Sequence, residues 1–313
     1  MGTVRVGISG WSYAGWRGDF YPRGLAHRRE LEHATSLLST VELNASFYRL
    51  QKPTSYTAWY AQTPPGTLFA VKGSRYITHV RKLADVDAAL ANFLASGLLA
   101  LGEKLGPLLW QLPPTLPFDA ERLDAFLSLL PRTSGQAALL AQQHDPRFEG
   151  RVWTTTDVDR PLRHAVEARH PSYATSEYVE LLRRQGVANV VSDLAGRYPM
   201  LEDVSSDLVY VRLHGAEELY TSAYEGPLLE RWAEKIRAWA DGRDAPGAAL
   251  SGPPAPALPG GRDVVVYFDN DAAGHAPWDA LALAQRLGLP APVPGVGVPV
   301  RPERATVDGA GSG

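Results

Sequence analysis

The 313-residue chain contains no cysteine, which removes disulfides, thiolate-bound zinc, iron–sulfur clusters and a cysteine nucleophile together. No run approaches the ~18–20 apolar residues of a membrane span. The N-terminus, MGTVRVGISGW, has no apolar signal core, and Val6 occupies the position where a myristoylation signal needs Ser or Thr. A cytoplasmic protein is therefore expected. There is no strong charge of either sign: a net charge of −3 gives no global reason to expect nucleic acid or an anionic membrane as partner, although it leaves room for a local basic patch. No HExxH or other short metal-ligand motif occurs. Lysine is scarce, with residues 52, 72, 82, 104 and 235 as the full set.

What the sequence does contain is an alternation of short β-branched or apolar runs with longer segments of helical period, the pattern of a parallel sheet with crossover helices. Eight runs read as strands: 4–11, 40–44, 68–73, 107–112, 164–169, 188–193, 208–214 and 264–270. Eight strands close a barrel. Between them, Leu123, Phe126, Leu127 and Leu130 follow Asp119 as an N-cap, and Leu229, Trp232, Ile236 and Trp239 form one apolar stripe. The segment between the sixth and seventh strands is too short for a full helix. The fold class is thus α/β, a TIM-type (β/α)8 barrel in a single domain over 1–289. Two long insertions interrupt it near 132–162 and 242–263. The second is rich in Pro, Gly and Ala and is expected to be a mobile surface loop; 290–313 shares that bias and is expected to be a disordered tail.

Strand parity exposes the candidate site. In LVYVRLHG, Val209, Val211 and Leu213 share one face while Tyr210, Arg212 and His214 share the other. Applied to each strand, the same reading places Ser9, Glu42, Asn44, Lys72, Gln111, Glu167, Arg169, Asp193, Arg212, His214 and Asp269 on one face near the C-terminal ends. Parallel strands usually read as apolar on both faces, and the C-terminal mouth is where barrel enzymes of this type carry their active sites. Ion pairing alone would account for part of this ring, Glu42 with Lys72 and Glu167 with Arg169 or Arg212.

Three chemistries compete for it. The carboxylates and His214 leave room for a divalent metal, though no cofactor is required by the sequence and the cations oppose a multi-metal cluster. Lys72 at a strand end is a candidate Schiff-base amine, although a neighbouring Glu42 would favour its protonated form. Binding of a phosphate-bearing ligand is the leading expectation. Arg17, Arg49, Lys72, Arg75, Arg169 and Arg212 fall among Trp11, Tyr13, Trp16, Phe47, Tyr48, Tyr76, Tyr220 and Tyr224, and cations hold phosphates while rings stack on bases or sugars. On that reading the partner is a small phosphorylated molecule or nucleic acid, not a membrane, and Glu42, Lys72, Glu167 and His214 are the catalytic candidates for phosphoester hydrolysis. Trp11, Tyr13, Asn44, Arg75, Gln111, Arg169, Asp193, Arg212 and Asp269, with the loop histidines His79 and His170, are the binding candidates. The alternatives are a lyase or isomerase acting on a small carbonyl or sugar, with Lys72, Glu167 or His214 moving protons, and a non-catalytic binding protein.

Seven ordered motifs, GISGWSYAGWRGDFYP, VELNASFYRL, FAVKGSRYITH, LGPLLWQLPP, VEARHPSY, YVRLHG and YFDND, resemble those of the YecE-like family, a domain of unknown function. The resemblance runs from about Val4 to Leu287. It implies a TIM-type barrel and adds Asn270 to the mouth residues, but implies no reaction. Asp269 departs from it, standing where the family more usually has Asn.

Overall fold

The computed structural model describes residues 1–215, 217–297 and 299–301. Eight parallel strands close into a barrel in sequence order: β1 Val4–Ser9, β2 Thr40–Leu43, β3 Leu68–Lys72, β4 Leu105–Gln111, β5 His164–Glu167, β6 Ala188–Asp193, β7 Leu208–Leu213 and β8 Asp263–Phe268. Each expected strand is present. Their alternating parity sorts side chains into two cores. Ala70, Leu109, Ala165, Ala188, Val190, Tyr210, Val265 and Tyr267 fill the barrel interior, as the packed layers of such barrels require. The opposite parity, including Val209, Val211 and Leu213, packs outward against the helices.

Those helices form where the apolar period and caps place them. Pro53 opens the helix Pro53–Gln62, and Asp119 caps Ala120–Leu129 by accepting a hydrogen bond from the Arg122 amide at 3.0 Å. Leu229, Trp232, Ile236 and Trp239 are all buried along Gly226–Ala240. As expected, no helix separates β6 from β7.

The first insertion has room for extra structure and holds it, while the second is more structured than a loop reading suggests. Residues 132–162 contain a helix, Ser134–Ala141. Residues 242–263, expected to be a mobile loop, are anchored by carboxylates from the β6–β7 connection: Glu202 accepts from the Ala249 amide at 3.0 Å, and Asp203 accepts from the Ser251 and Gly252 amides. Composition alone cannot reveal such distant acceptors. Of the tail, 290–301 has no helix or strand among its described residues, Val296 packs on the core, and Arg301 donates to the Gly274 carbonyl at 3.2 Å. The part of the expected disordered tail from 302 to 313 lies outside the described residues. Among the described residues no helix is long and apolar enough to cross a membrane.

Candidate active site

Above the apolar interior layer lies a charged one, built because several strands end with a polar residue of inward parity. Register sets Ser9 beside Glu42, Gln111 beside Glu167, and Arg212 between Ser192 and Tyr267. Its centre is Arg212, fully buried. Its guanidinium grips Glu42 with two bonds, Nε to Oε2 at 3.0 Å and Nη2 to Oε1 at 2.7 Å, while Nη1 reaches Glu167 Oε2 at 2.7 Å and Nη2 reaches Asp269 Oδ2 at 2.9 Å. Arg169 Nε donates to the other Glu167 oxygen at 2.7 Å. Tyr210 donates to Glu42 Oε2 at 2.6 Å, and Ser9 also donates to Glu42. A rigid planar fork matched to several carboxylates is a role for which Arg is suited and Lys is not.

Electrostatics follow from that geometry. Burial pushes the Glu167 carboxyl up, but Arg169 and Arg212 outweigh it and hold the group well below the usual carboxylate range. Burial likewise opposes ionisation of Asp269, yet the Arg212 charge above all brings it down to about 2. His214 Nδ1 lies 3.0 Å from Asp269 Oδ2 without the alignment of a hydrogen bond. Burial and the Arg212 charge keep its imidazole below the ordinary histidine range, hence neutral.

This charged layer is the floor of an open cavity of about 750 Å³, lined by Tyr13, Asn44, Phe47, Tyr48, Lys72, Arg75, His79, Gln111, Arg169, Tyr220, Asp269, Asp271 and Ala272. Glycines let the chain turn at the strand ends. A Cβ on Gly73 would sit 2.3 Å from the Trp110 ring, and Gly215, with φ of +125°, would place one 2.2 Å from the Glu218 carbonyl oxygen.

Lys72 behaves differently from the sequence expectation. Glu42 is occupied by Arg212, Ser9 and Tyr210, so it does not pair with Lys72, and among the described residues the lysine amine has no ion pair or hydrogen bond. The amine instead stands 4.6 Å from the centroid of the Phe47 ring. Burial first, and then the Arg212 charge, push it down to about 8 against the pull of Glu42, Glu167 and Asp269. Beside it, His79 is pushed down to about 4 by burial and by Lys72, Arg75 and Arg169, so it is neutral at pH 7; its Nδ1 is engaged by Thr78 Oγ1 at 2.8 Å. Across the cavity, burial and Asp269 raise Asp271 to about 6.

The candidate residues thus divide into three groups. Tyr13, Asn44, Lys72, Arg75, His79, Gln111, Arg169 and Asp269 line the cavity. Glu42, Glu167, Arg212 and His214 are wholly buried beneath it, so three of the four expected catalytic groups reach a ligand only through the lining residues Arg169 and Asp269. The rest hold the scaffold. Trp11 packs edge-on against Trp59 with centroids 5.5 Å apart, and His170 caps the turn Pro171–Tyr173. Asp193 accepts from Tyr224 at 3.0 Å, and Asn270 donates to Asp279 at 2.8 Å. Among the wider set of mouth aromatics and cations, Trp16 and Tyr224 are core, and Arg17 pairs with Glu30 at 2.7 Å. Asp271 was absent from the sequence reading, although it lies two residues beyond Asp269 in YFDND and so repeats its parity. Among the described residues no cluster of three or more His, Asp or Glu is placed to hold a metal ion, and Arg212 occupies oxygens of Glu42, Glu167 and Asp269 that a metal would need.

Comparison with known proteins agrees with this architecture. The family model described as "Protein of unknown function DUF72" matches residues 5–303. A curated relative, UPF0759 protein YunF of Bacillus subtilis (strain 168), is 30% identical over 124 residues, which cover 38% of this chain and 42% of that protein. The match therefore spans less than half of that relative's length. The crystal structure of a DUF72 family protein from Thermotoga maritima superposes with a TM-score of 0.67 at 24% identity, covering 91% of this chain and 99% of that one. Another, from Enterococcus faecalis V583, gives 0.66 at 18% identity over 92% and 96%. Both likenesses concern the fold.

Proposed function

The chain belongs to the DUF72 family, for which YecE-like is an older name, and because the family's description carries no activity, we propose from the mouth itself that it binds a small phosphate-bearing ligand. The observation that carries this reading is the pair of cations, Lys72 and Arg75, that line the cavity with no carboxylate paired to either among the described residues. Arg169 adds a third cation beside them. Asp269 and Asp271, with Tyr13, sit among the lining groups as hydrogen-bonding partners for hydroxyls. A phosphate held by the cations, and hydroxyls held by the acids, describe a sugar phosphate or similar phosphorylated polyol. The cavity volume falls within the usual range for small ligands, roughly 300–1,000 Å³.

Phosphoester hydrolysis gains less support, because Glu167 and His214, its expected proton carriers, lie beneath the floor. A lyase or isomerase acting on a carbonyl compound is the second reading, favoured by the unpartnered amine of Lys72. Calorimetric titration with ribose 5-phosphate and with ribose tests the first. The phosphate is expected to improve binding by about tenfold or more, as one or two charge-assisted contacts would, and Arg75→Ala to remove most of that advantage. Equal affinity for the two sugars, or an unchanged affinity in a folded Arg75→Ala, Lys72→Met double variant, would contradict it. Oligonucleotide binding that Arg75→Ala weakens, without binding of ribose 5-phosphate, would move the ligand class to nucleic acid.

A further inference from the structure

We propose that Lys72 is a nucleophile whose amine condenses with the carbonyl carbon of a small phosphorylated aldehyde or ketone, the phosphate lying against Arg75. This rests on the reading of the mouth as a phosphate site and adds the reacting functional group. The geometry sets Lys72 apart from the other lysines. Lys104 donates to the Tyr60 and Thr63 carbonyls at 2.7 Å, Lys235 pairs with Glu202, and Lys52 and Lys82 are exposed. Only Lys72 among the five combines burial, at 8% exposure, with a place in the cavity wall and no hydrogen-bond or ion-pair partner among the described residues, its amine resting over the Phe47 ring. An amine with nothing to donate to is one whose lone pair is readily freed, and burial of this kind activates lysine. Its lowered ionisation, to about 8, leaves a substantial neutral fraction at physiological pH.

The reaction balances without oxidant or reductant. The amine nitrogen forms a bond to the carbonyl carbon, the π pair moves to oxygen, and a proton passes from nitrogen to that oxygen to give a carbinolamine. The C–O bond then breaks, the oxygen leaves as water with a second proton, and the nitrogen pair closes the C=N bond. Two lining residues suit these transfers. His79, neutral at pH 7 with no hydrogen bond at Nε2 among the described residues, can relay the proton between nitrogen and oxygen, and Asp271, raised to about 6, is the lining carboxyl whose protonated fraction can supply the one that leaves with the oxygen.

The test incubates the protein with cyanoborohydride and either glyceraldehyde 3-phosphate or glyceraldehyde, then maps secondary-amine adducts by peptide mass spectrometry. At pH 7.5 Lys72 is expected to be labelled on the order of a hundredfold faster than Lys52 or Lys82, since an ordinary lysine is almost wholly protonated there. Its rate should rise with a midpoint near 8. Lys72→Arg, which keeps the charge, should leave only background label. Adducts spread evenly over exposed lysines, or a Lys72 rate that climbs only near the ordinary lysine range, would overturn the proposal. The two readings fail separately. Preferential Lys72 labelling with no advantage for the phosphorylated aldehyde keeps the nucleophile and removes the phosphate site. Binding of ribose 5-phosphate without Lys72 labelling does the reverse.

Discussion

Replacing Arg212 with Met is expected to destabilise the protein by at least about 3–5 kcal/mol, the usual result of removing one partner from a buried charge pair. The expectation is large because Met fills much of the same volume yet leaves Glu42, Glu167 and Asp269 without the guanidinium that bridges all three. The pH dependence should reverse with it. In the wild type, Glu167 and Asp269 ionise below their unfolded range, so their stabilisation is complete only above about pH 5 and is lost as pH falls through the folded values, about 2 for Asp269. In the variant the orphaned carboxylates prefer to be protonated, so acidification toward pH 4.5 should narrow the gap. Urea melts of both proteins at pH 7.5 and 4.5 check this; equal midpoints at pH 7.5 would mean that the network carries little of the mouth's structure.

Replacing Lys72 with Met should do the opposite and stabilise the protein, by about 3 kcal/mol at pH 7. The lysine is lowered from 10.5 to about 8, and each unit corresponds to about 1.36 kcal/mol. Below about pH 8 both folded and unfolded chains hold the proton, and the folded state bears the full penalty of a buried ammonium. Between about 8 and 10.5 only the unfolded state holds it, so wild-type stability rises with pH and the variant's advantage shrinks. A gain on removing a site residue is the mark of a group kept for function at the expense of stability. Chemical denaturation of both proteins from pH 7 to 10 provides the comparison, and a variant less stable than wild type across that range would show Lys72 to be a structural residue.

Much of this was legible in the sequence for physical reasons. Period-2 parity and the βα alternation are local properties, so the eight strands, the interior face of Tyr210 and Arg212, and the Asp119 cap all followed from them. Pairing across the barrel is not local. Which cation takes Glu42 depends on side-chain reach: Arg212, five strands away in sequence, spans the interior with its fork, while Lys72 on the adjacent strand does not reach it. The same limit hid the depth of Glu167 and His214, because parity gives the face of a strand residue but not its height relative to the cavity floor. Trp11 and His170 were drawn into the candidate set by their proximity in sequence to strand ends, yet their loops turn them toward Trp59 and Ser172. The anchoring of 242–263 by Glu202 and Asp203 was invisible for the reason that hid the Glu42 pairing: acceptor and amide are some 50 residues apart, as with Asp203 and Ser251 at a separation of 48.

The most direct test of the account is the ionisation of Lys72 itself, with and without inorganic phosphate. Lysines methylated with carbon-13 give separate NMR signals that can be followed through pH, with Lys72→Arg identifying the one of interest. The account predicts a midpoint near 8 that moves upward when phosphate is added, because an anion in the mouth favours the ammonium. A midpoint at the ordinary lysine value of about 10.4, indifferent to phosphate, would contradict both the activation of the amine by burial and the anionic ligand proposed to sit beside it.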